Sequence, residues 1–69
     1  MQNIKNELFE RVSKLAEVSA SGGKTTFVVS DCCKSPMGEL TCLIEQKQDG
    51  KRITRWFCNG YRISARNII

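Results

Sequence analysis

Two β-type segments flank the dipeptide Asp49-Gly50, and this pattern constrains the fold more than any other feature of the sequence. Asp-Gly favours the type I′ turn that closes a two-residue β-hairpin. Residues 39–47 and 51–58 are therefore predicted to pair as antiparallel strands. The predicted hairpin spans about residues 39–58 of a chain of 69 residues.

A two-residue turn also sets which side chains of the hairpin share a face of the sheet. Gln48 then lies opposite Lys51, and Leu43 lies opposite Trp56. The face predicted to receive a helix carries Leu40, Cys42, Ile44, Ile53 and Phe57. The opposite face carries Thr41, Leu43, Glu45, Lys47, Arg52, Thr54, Trp56 and Cys58. Because a single helix covers only one face, the second face is expected to be open.

The start of the chain has the apolar periodicity of an amphipathic helix. Spacings of four, four and three residues join Ile4, Leu8, Val12 and Leu15, with Phe9 and Ala16 beside them. Asn3 is a suitable N-cap, and the small, polar run at 19–23 is typical of a helix end. A helix is therefore predicted over about residues 3–19, with its apolar stripe in the core.

One more strand is expected before the hairpin. Residues 24–30 are rich in β-branched and aromatic side chains and are predicted to form this strand. Residues 31–38 contain two cysteines, Ser-Pro and a glycine, and are predicted to be a loop.

The tail at residues 59–69 begins with a second turn signal, Asn59-Gly60. The alternation of apolar and basic residues from Tyr61 fits a fourth strand. It fits equally a short extended piece followed by a helical turn capped by Ser64. The expectation is a single α+β domain over residues 1–69, with an N-terminal amphipathic helix packed on a three- or four-stranded antiparallel sheet.

The open sheet face is predicted to expose a large aromatic side chain with nothing to cover it. Contiguous apolar surface usually marks an interface, so the expected partner is another protein or a second copy of the chain in a homodimer. Tryptophan, tyrosine and arginine dominate binding hot spots. The candidate protein-binding residues are Leu43, Trp56, Tyr61 and Ile63.

Positive charge is concentrated in the C-terminal third. The net charge is +4, and residues 51–69 hold basic side chains but no acidic one. Cations around an exposed aromatic ring can track phosphates and stack on a base, so a nucleic-acid-binding module built on the basic hairpin is the alternative function. The candidate residues for this alternative are Lys47, Lys51, Arg52, Arg55, Arg62 and Arg66. The same arginines also fit a solvated rim.

The composition argues against an enzyme and against a bound cofactor or metal. Histidine, the commonest general base, is absent, and so short a chain has little volume for a pocket that would enclose a small-molecule substrate. The cysteines lack the paired spacing of a zinc site and are expected to be reduced. They are Cys32, Cys33, Cys42 and Cys58. Neither a membrane span nor a signal peptide is recognised, so the expected location is cytoplasmic.

A nine-residue stretch near the C-terminus resembles a group of known proteins. It reads Trp56-Phe57-Cys58-Asn59-Gly60-Tyr61-Arg62-Ile63-Ser64. Its strand, turn and Arg-Ile-Ser ending resemble those of small uncharacterised phage and prophage proteins, which have a similar one-domain format. The resemblance implies a bacterial cytoplasmic context and a host- or gene-regulating role, and it carries over no functional residues. The expected function is that of a small non-enzymatic binding protein, a phage or prophage regulator or inhibitor acting through protein–protein contact.

Overall fold

The computed structural model describes residues 3–68 and consists of one helix packed on a four-stranded antiparallel sheet. The elements are α1 (Ile4–Ser21), β1 (Phe27–Ser35), β2 (Gly38–Gln46), β3 (Arg52–Cys58), β4 (Tyr61–Ile63) and a 3-10 helix (Ala65–Asn67). The strands lie in the order β1-β2-β3-β4, and α1 contacts β1 and β2. The predicted α+β fold is confirmed.

Helix α1 is held at both ends by local hydrogen bonds. The side chain of Asn3 accepts a hydrogen bond from the backbone N–H of Asn6 at 3.2 Å, which is the N-cap interaction expected from the sequence. At the other end, the N–H of Gly22 donates to the carbonyl of Val18 at 3.1 Å. Gly23 then takes a φ of +85°, and the chain leaves the helix.

The buried row of α1 differs from the predicted stripe at its last position. Leu8, Val12 and Ala16 are fully buried, whereas Leu15 is 43% exposed. Repeated steps of four residues keep the buried row on the narrow strip of helix surface that meets the sheet. The predicted core position of Leu15 is therefore wrong, and Ala16 takes its place.

Strand β1 is longer than the sequence pattern predicts. All nine of its residues pair with β2, and only Pro36 and Met37 connect the two strands. The predicted loop at 31–38 is therefore wrong. Polar residues and cysteines are compatible with a strand once a partner strand satisfies the backbone hydrogen bonds, because strand propensity depends strongly on context.

The turn between β3 and β4 packs onto the start of β2. Asn59 and Gly60 both have positive φ, as a type I′ turn requires, and β4 follows. The side chain of Asn59 accepts a hydrogen bond from the N–H of Glu39 at 2.9 Å. It also lies over Gly38, where an added Cβ atom would be 2.5–2.8 Å from the Asn59 amide group. A Cβ atom at position 38 would therefore displace the Asn59 side chain from its hydrogen bond with Glu39.

The turn between β2 and β3 is one residue longer than predicted. The N–H of Lys47 donates to the carbonyl of Lys51, and the N–H of Gly50 donates to the carbonyl of Lys47, both at 2.9 Å. Gly50 has a φ of +88°, as in a three-residue connection made of a type I turn and a bulge. Asp49 supports the turn by accepting a hydrogen bond from the N–H of Lys51 at 3.0 Å. The predicted two-residue turn, with Gln48 opposite Lys51, is therefore wrong.

The extra residue moves every side chain of β3 to the opposite face relative to the prediction. Leu43 lies opposite Arg55 instead of Trp56. Trp56 is on the helix side and only 7% exposed, so its predicted place on an open face is wrong. Ile53 and Phe57, predicted to lie under the helix, are on the other side of the sheet.

The core lies between α1 and the sheet face that carries Trp56. Its buried members are Leu8, Val12, Ala16, Leu40, Cys42, Ile44 and Trp56. The ring centroids of Trp56 and Phe9 are 6.5 Å apart, and Ile63 and Ile68 pack against the same cluster. The indole is therefore covered by residues of its own chain.

Candidate binding surface

The sheet face that points away from α1, called the outer face below, carries a mixed apolar and charged surface. Apart from α1, the only helical segment within residues 3–68 is three residues long, so no helix of normal length covers this face. By the strand register, the outer face consists of Val28, Ser30, Cys32, Lys34, Glu39, Thr41, Leu43, Glu45, Ile53, Arg55, Phe57 and Arg62.

An apolar patch occupies the centre of the outer face. Leu43, Ile53 and Phe57 are half-buried by their neighbours, and Val28 is 61% exposed at the β1 side. Ile53 and Phe57 flank Arg55 along β3, and Leu43 lies directly across from it on β2. Contiguous apolar surface on the uncovered side of a small sheet is typical of a docking surface.

Arg55 lies in the middle of this patch without a partner for its charge. Its side chain makes no hydrogen bond or ion pair with any of residues 3–68, and its Nε atom is buried without an acceptor. A buried donor left unsatisfied costs about 1–3 kcal/mol, and more when it is charged. Nη1 and Nη2 are not buried in this way, and a carboxylate from outside the chain can accept two parallel hydrogen bonds from them.

Glu45 is an acidic residue of the same patch, and it is not paired with Arg55. It lies on β2 across from Ile53, two residues along the strand from Leu43. Neither salt bridge described for residues 3–68 includes it. Diagonal neighbours of this kind have Cα atoms about 7–8 Å apart. The centre of the outer face thus presents an unpaired cation and an unpaired anion side by side.

The side chains of Arg11 and Asp31, called the edge clamp below, block the middle of the free edge of β1. Arg11 forms a salt bridge with Asp31, with 2.6 Å between Nη2 and Oδ2. The same Nη2 donates to the carbonyl of Cys32 at 3.2 Å, and the N–H of Cys32 donates to Oδ1 of Asp31 at 2.8 Å. The hydrogen bonds from Arg11 and from Cys32 hold the pKa of Asp31 below its ordinary value.

The edge clamp occupies both backbone groups of Cys32, so a further strand could not pair with β1 there without breaking it. The other edge strand, β4, is only three residues long. Short and blocked edges disfavour the addition of a strand from another chain. On the other side, β4 pairs only with residues 56–58 of β3, so residues 52–55 stay an open edge, and the outer face is the broader docking surface of the sheet.

The structure divides the predicted protein-binding residues between the two faces. Leu43 lies on the outer face, whereas Trp56 is buried on the helix side. Ile63 lies opposite Trp56 on β4 and packs against the core. Tyr61 is 78% exposed at the start of β4, on the Trp56 side. The apolar β3 residues of the outer face were missed, and only a three-residue turn assumed at Asp-Gly would have revealed them.

The predicted nucleic-acid-binding residues do not form one continuous basic surface. Lys47 and Lys51 lie at the β2–β3 turn, Arg55 and Arg62 lie on the outer face, and Arg66 lies in the 3-10 helix. Glutamates also lie on the outer face, so the arginines there do not make it uniformly basic. The nucleic-acid-binding alternative stays a prediction, with its residues distributed over the turn, the outer face and the 3-10 helix.

Arg52, the remaining member of the basic set, is engaged within the chain. Its Nη1 donates to Glu17 at 3.0 Å, and its Nε donates to the side-chain oxygen of Gln46 at 2.8 Å. Its guanidinium carbon also lies 5.7 Å from the centroid of the Phe27 ring. These contacts tie the end of α1 to the sheet and leave Arg52 less available to a phosphate.

An open groove of about 810 Å³ lies between β3 and the C-terminal segment. Its lining includes Thr54, Trp56, Ser64 and Asn67, together with Arg62 and Arg66. The lining has no carboxylate or thiol to act as a base or nucleophile. The groove brings together only two of the predicted phosphate-binding arginines.

The cysteines are free and lie on both sides of the sheet. Cys32 is on the outer face, whereas Cys33, Cys42 and Cys58 are on the helix side, so the prediction that Cys42 and Cys58 lie on opposite faces is wrong. Burial raises the pKa of the Cys42 thiol to about 11 and also raises that of Cys33. Within residues 3–68, no three metal-binding side chains come together.

The chain matches no family model, no curated protein and no solved structure. In the part of the chain that the structure describes, no helix has the length and apolar character needed to cross a membrane. The fold and its surface define a small α+β domain with one helix-covered and one open sheet face.

Proposed function

We propose that this protein is a small non-enzymatic binding protein whose outer face docks another protein. The chemistry of the partner follows from the surface: apolar side chains cover Leu43, Ile53 and Phe57, and a carboxylate pairs with Arg55. In a bacterial cytoplasm, such a domain acts as a regulator or inhibitor of the protein it binds. This role agrees with the resemblance to small phage and prophage proteins.

The observation that carries the proposal is the buried, unpartnered Nε of Arg55 within an apolar patch. Arginine is enriched at the centres of binding sites, where surrounding apolar contacts exclude water and strengthen its hydrogen bonds. An arginine that serves only solubility extends into water, as the exposed Arg66 does. The different environment of Arg55 supports a role in recognition.

The proposal is tested by titrating the ¹⁵N-labelled protein with a short peptide that has one glutamate between leucines. We expect amide chemical-shift changes at residues 41–45 and 53–57, and none along α1. Arg55→Met keeps the aliphatic part of the side chain but removes the charge, so it should weaken peptide binding by about tenfold or more. The matched variant Arg66→Met should bind the peptide as the unaltered protein does.

A peptide with glutamine in place of glutamate is the control ligand and should bind more weakly. Equal binding of the two peptides, or shift changes away from the outer face, would contradict the proposal. A single-stranded oligonucleotide is titrated in parallel. Shift changes near Lys47, Lys51 and Arg66, with an affinity that falls steeply as salt increases, would favour the nucleic-acid alternative instead.

A further inference from the structure

The outer face contains both halves of the contact that the proposed function requires. Arg55 lacks a carboxylate, and Glu45 is an unpaired carboxylate flanked by Leu43 and Ile53 on the same face. We propose that the partner of the outer face is a second copy of this chain, in a twofold dimer in which Arg55 of each copy pairs with Glu45 of the other. This inference rests on the proposed function, because it uses the same docking surface.

The strand register makes such a pairing geometrically possible. A twofold axis that lies in the interface, parallel to the strands and between β2 and β3, places β2 of one copy over β3 of the other. Leu43 then lies over Arg55 of the second copy, and Glu45 lies two residues further along β2. With sheets about 10 Å apart and a two-residue step of about 7 Å, the paired Cα atoms are about 12 Å apart. An extended arginine and an extended glutamate can span this distance.

A second symmetric packing is disfavoured by charge. A twofold axis perpendicular to the strands, through the row that contains Leu43 and Arg55, would place Arg55 directly over Arg55 of the second copy. Two like charges, each without an internal partner, repel strongly where water is excluded. The charges therefore disfavour a perpendicular axis through this row.

The size of the outer face sets the expected strength of the dimer. Seven residues of β3 and four strands give a face of roughly 23 Å by 19 Å at the usual spacings along and between strands. This is about 440 Å² per copy, below the roughly 800 Å² per partner of a standard specific interface and in the range of weak, transient contacts. We therefore expect a dimer that forms at high micromolar concentration and dissociates on dilution.

The test is the mass in solution, measured by light scattering and sedimentation from about 5 µM to 500 µM, a range suited to a small interface. The unaltered protein should rise from 7.8 kDa toward twice that value. Arg55→Glu and Glu45→Arg should each stay monomeric, because each change places like charges opposite one another at both contacts. An equimolar mixture of the two variants should recover the dimer, because opposite charges then meet at both contacts.

Matched charge reversals away from the outer face are the controls. Arg66→Glu and Glu10→Arg should dimerise as the unaltered protein does, since both residues are exposed and lie elsewhere. Circular dichroism of every variant checks that it is folded.

Three outcomes overturn the inference, and they differ in what they say of the proposed function. If the protein is a monomer at every concentration, the partner is not a second copy of the chain. The peptide titration then tests separately whether the outer face is a docking surface. If neither Arg55→Glu nor Glu45→Arg disrupts the dimer, the chain self-associates through another surface. Loss of the dimer in both folded variants without recovery in their mixture contradicts the pairing of Arg55 with Glu45.

Discussion

Replacing Trp56 with alanine tests the strand register, because the adjacent Phe57 is a matched control on the opposite face. Trp56 is nearly fully buried and packs against Phe9, whereas Phe57 is half-buried on the outer face. Truncation of a buried aromatic side chain to alanine typically costs about 3–5 kcal/mol, and we expect this loss for Trp56→Ala. Phe57→Ala should cost only about 1 kcal/mol, because roughly half of its side chain is removed from water.

The assay is urea unfolding followed by far-ultraviolet circular dichroism at about 2 µM, below the range in which a dimer through a small face would form. A domain of 69 residues has a total stability of roughly 3–10 kcal/mol, so Trp56→Ala is expected to be partly or wholly unfolded. Trp56→Phe keeps a ring in the core and provides a milder step that should still unfold at lower urea than the unaltered protein. If Phe57→Ala costs as much as Trp56→Ala, the three-residue turn and the assignment of faces derived from it are refuted.

Three further predictions concern the turns, the edge clamp and the thiols. Gly38→Ala should lower the urea midpoint of unfolding more than Gly50→Ala. Both glycines have positive φ, but only position 38 lacks room for a Cβ atom. Equal midpoints for the two variants would contradict the close packing at position 38. The pKa of Asp31 is depressed in the folded state. The ionised Asp31 side chain therefore stabilises the fold above its ordinary pKa of 3.8, and this stabilisation is lost as the pH falls through the lower pKa of the folded state. Acid titrations followed by circular dichroism should show a shallower loss of stability below pH 3.8 in Asp31→Asn than in the unaltered protein. Alkylation of the thiols at about pH 8, followed by peptide mass spectrometry, should modify the exposed Cys32 first and Cys42 last. The reason is that Cys42 is buried and that burial raises its pKa to about 11. Early labelling of Cys42 would contradict its position in the core.

The helix and the last turn could be predicted because short-range interactions determine them. The N-cap of α1 needs only Asn3 and the first turn that follows it. The β3–β4 turn needs only Asn59 and Gly60, which adopt the required positive φ values. Signals of this kind depend on neighbours within a few residues, so the amino-acid sequence is enough to identify them.

The register of the central hairpin could not be predicted in this way. Asp49-Gly50 is compatible with a two-residue type I′ turn and with a three-residue turn followed by a bulge, because both accept a glycine with positive φ. The choice decides whether Trp56 or Phe57 faces α1. That contact joins residues far apart in the chain, and the local sequence does not contain it.

The candidate binding surface depends on the same choice. The sequence by itself determined the helix, the pairing of β2 with β3 in a hairpin, and the alternation of side chains along those two strands. Only the tertiary structure decided which alternating set lies outward, and with it the position of Arg55 beside Leu43, Ile53 and Phe57. The physical reason is that the face of β3 is decided by packing between residues far apart in the chain, such as Trp56 against Phe9, whereas strand and turn preferences act locally and span only about 1 kcal/mol.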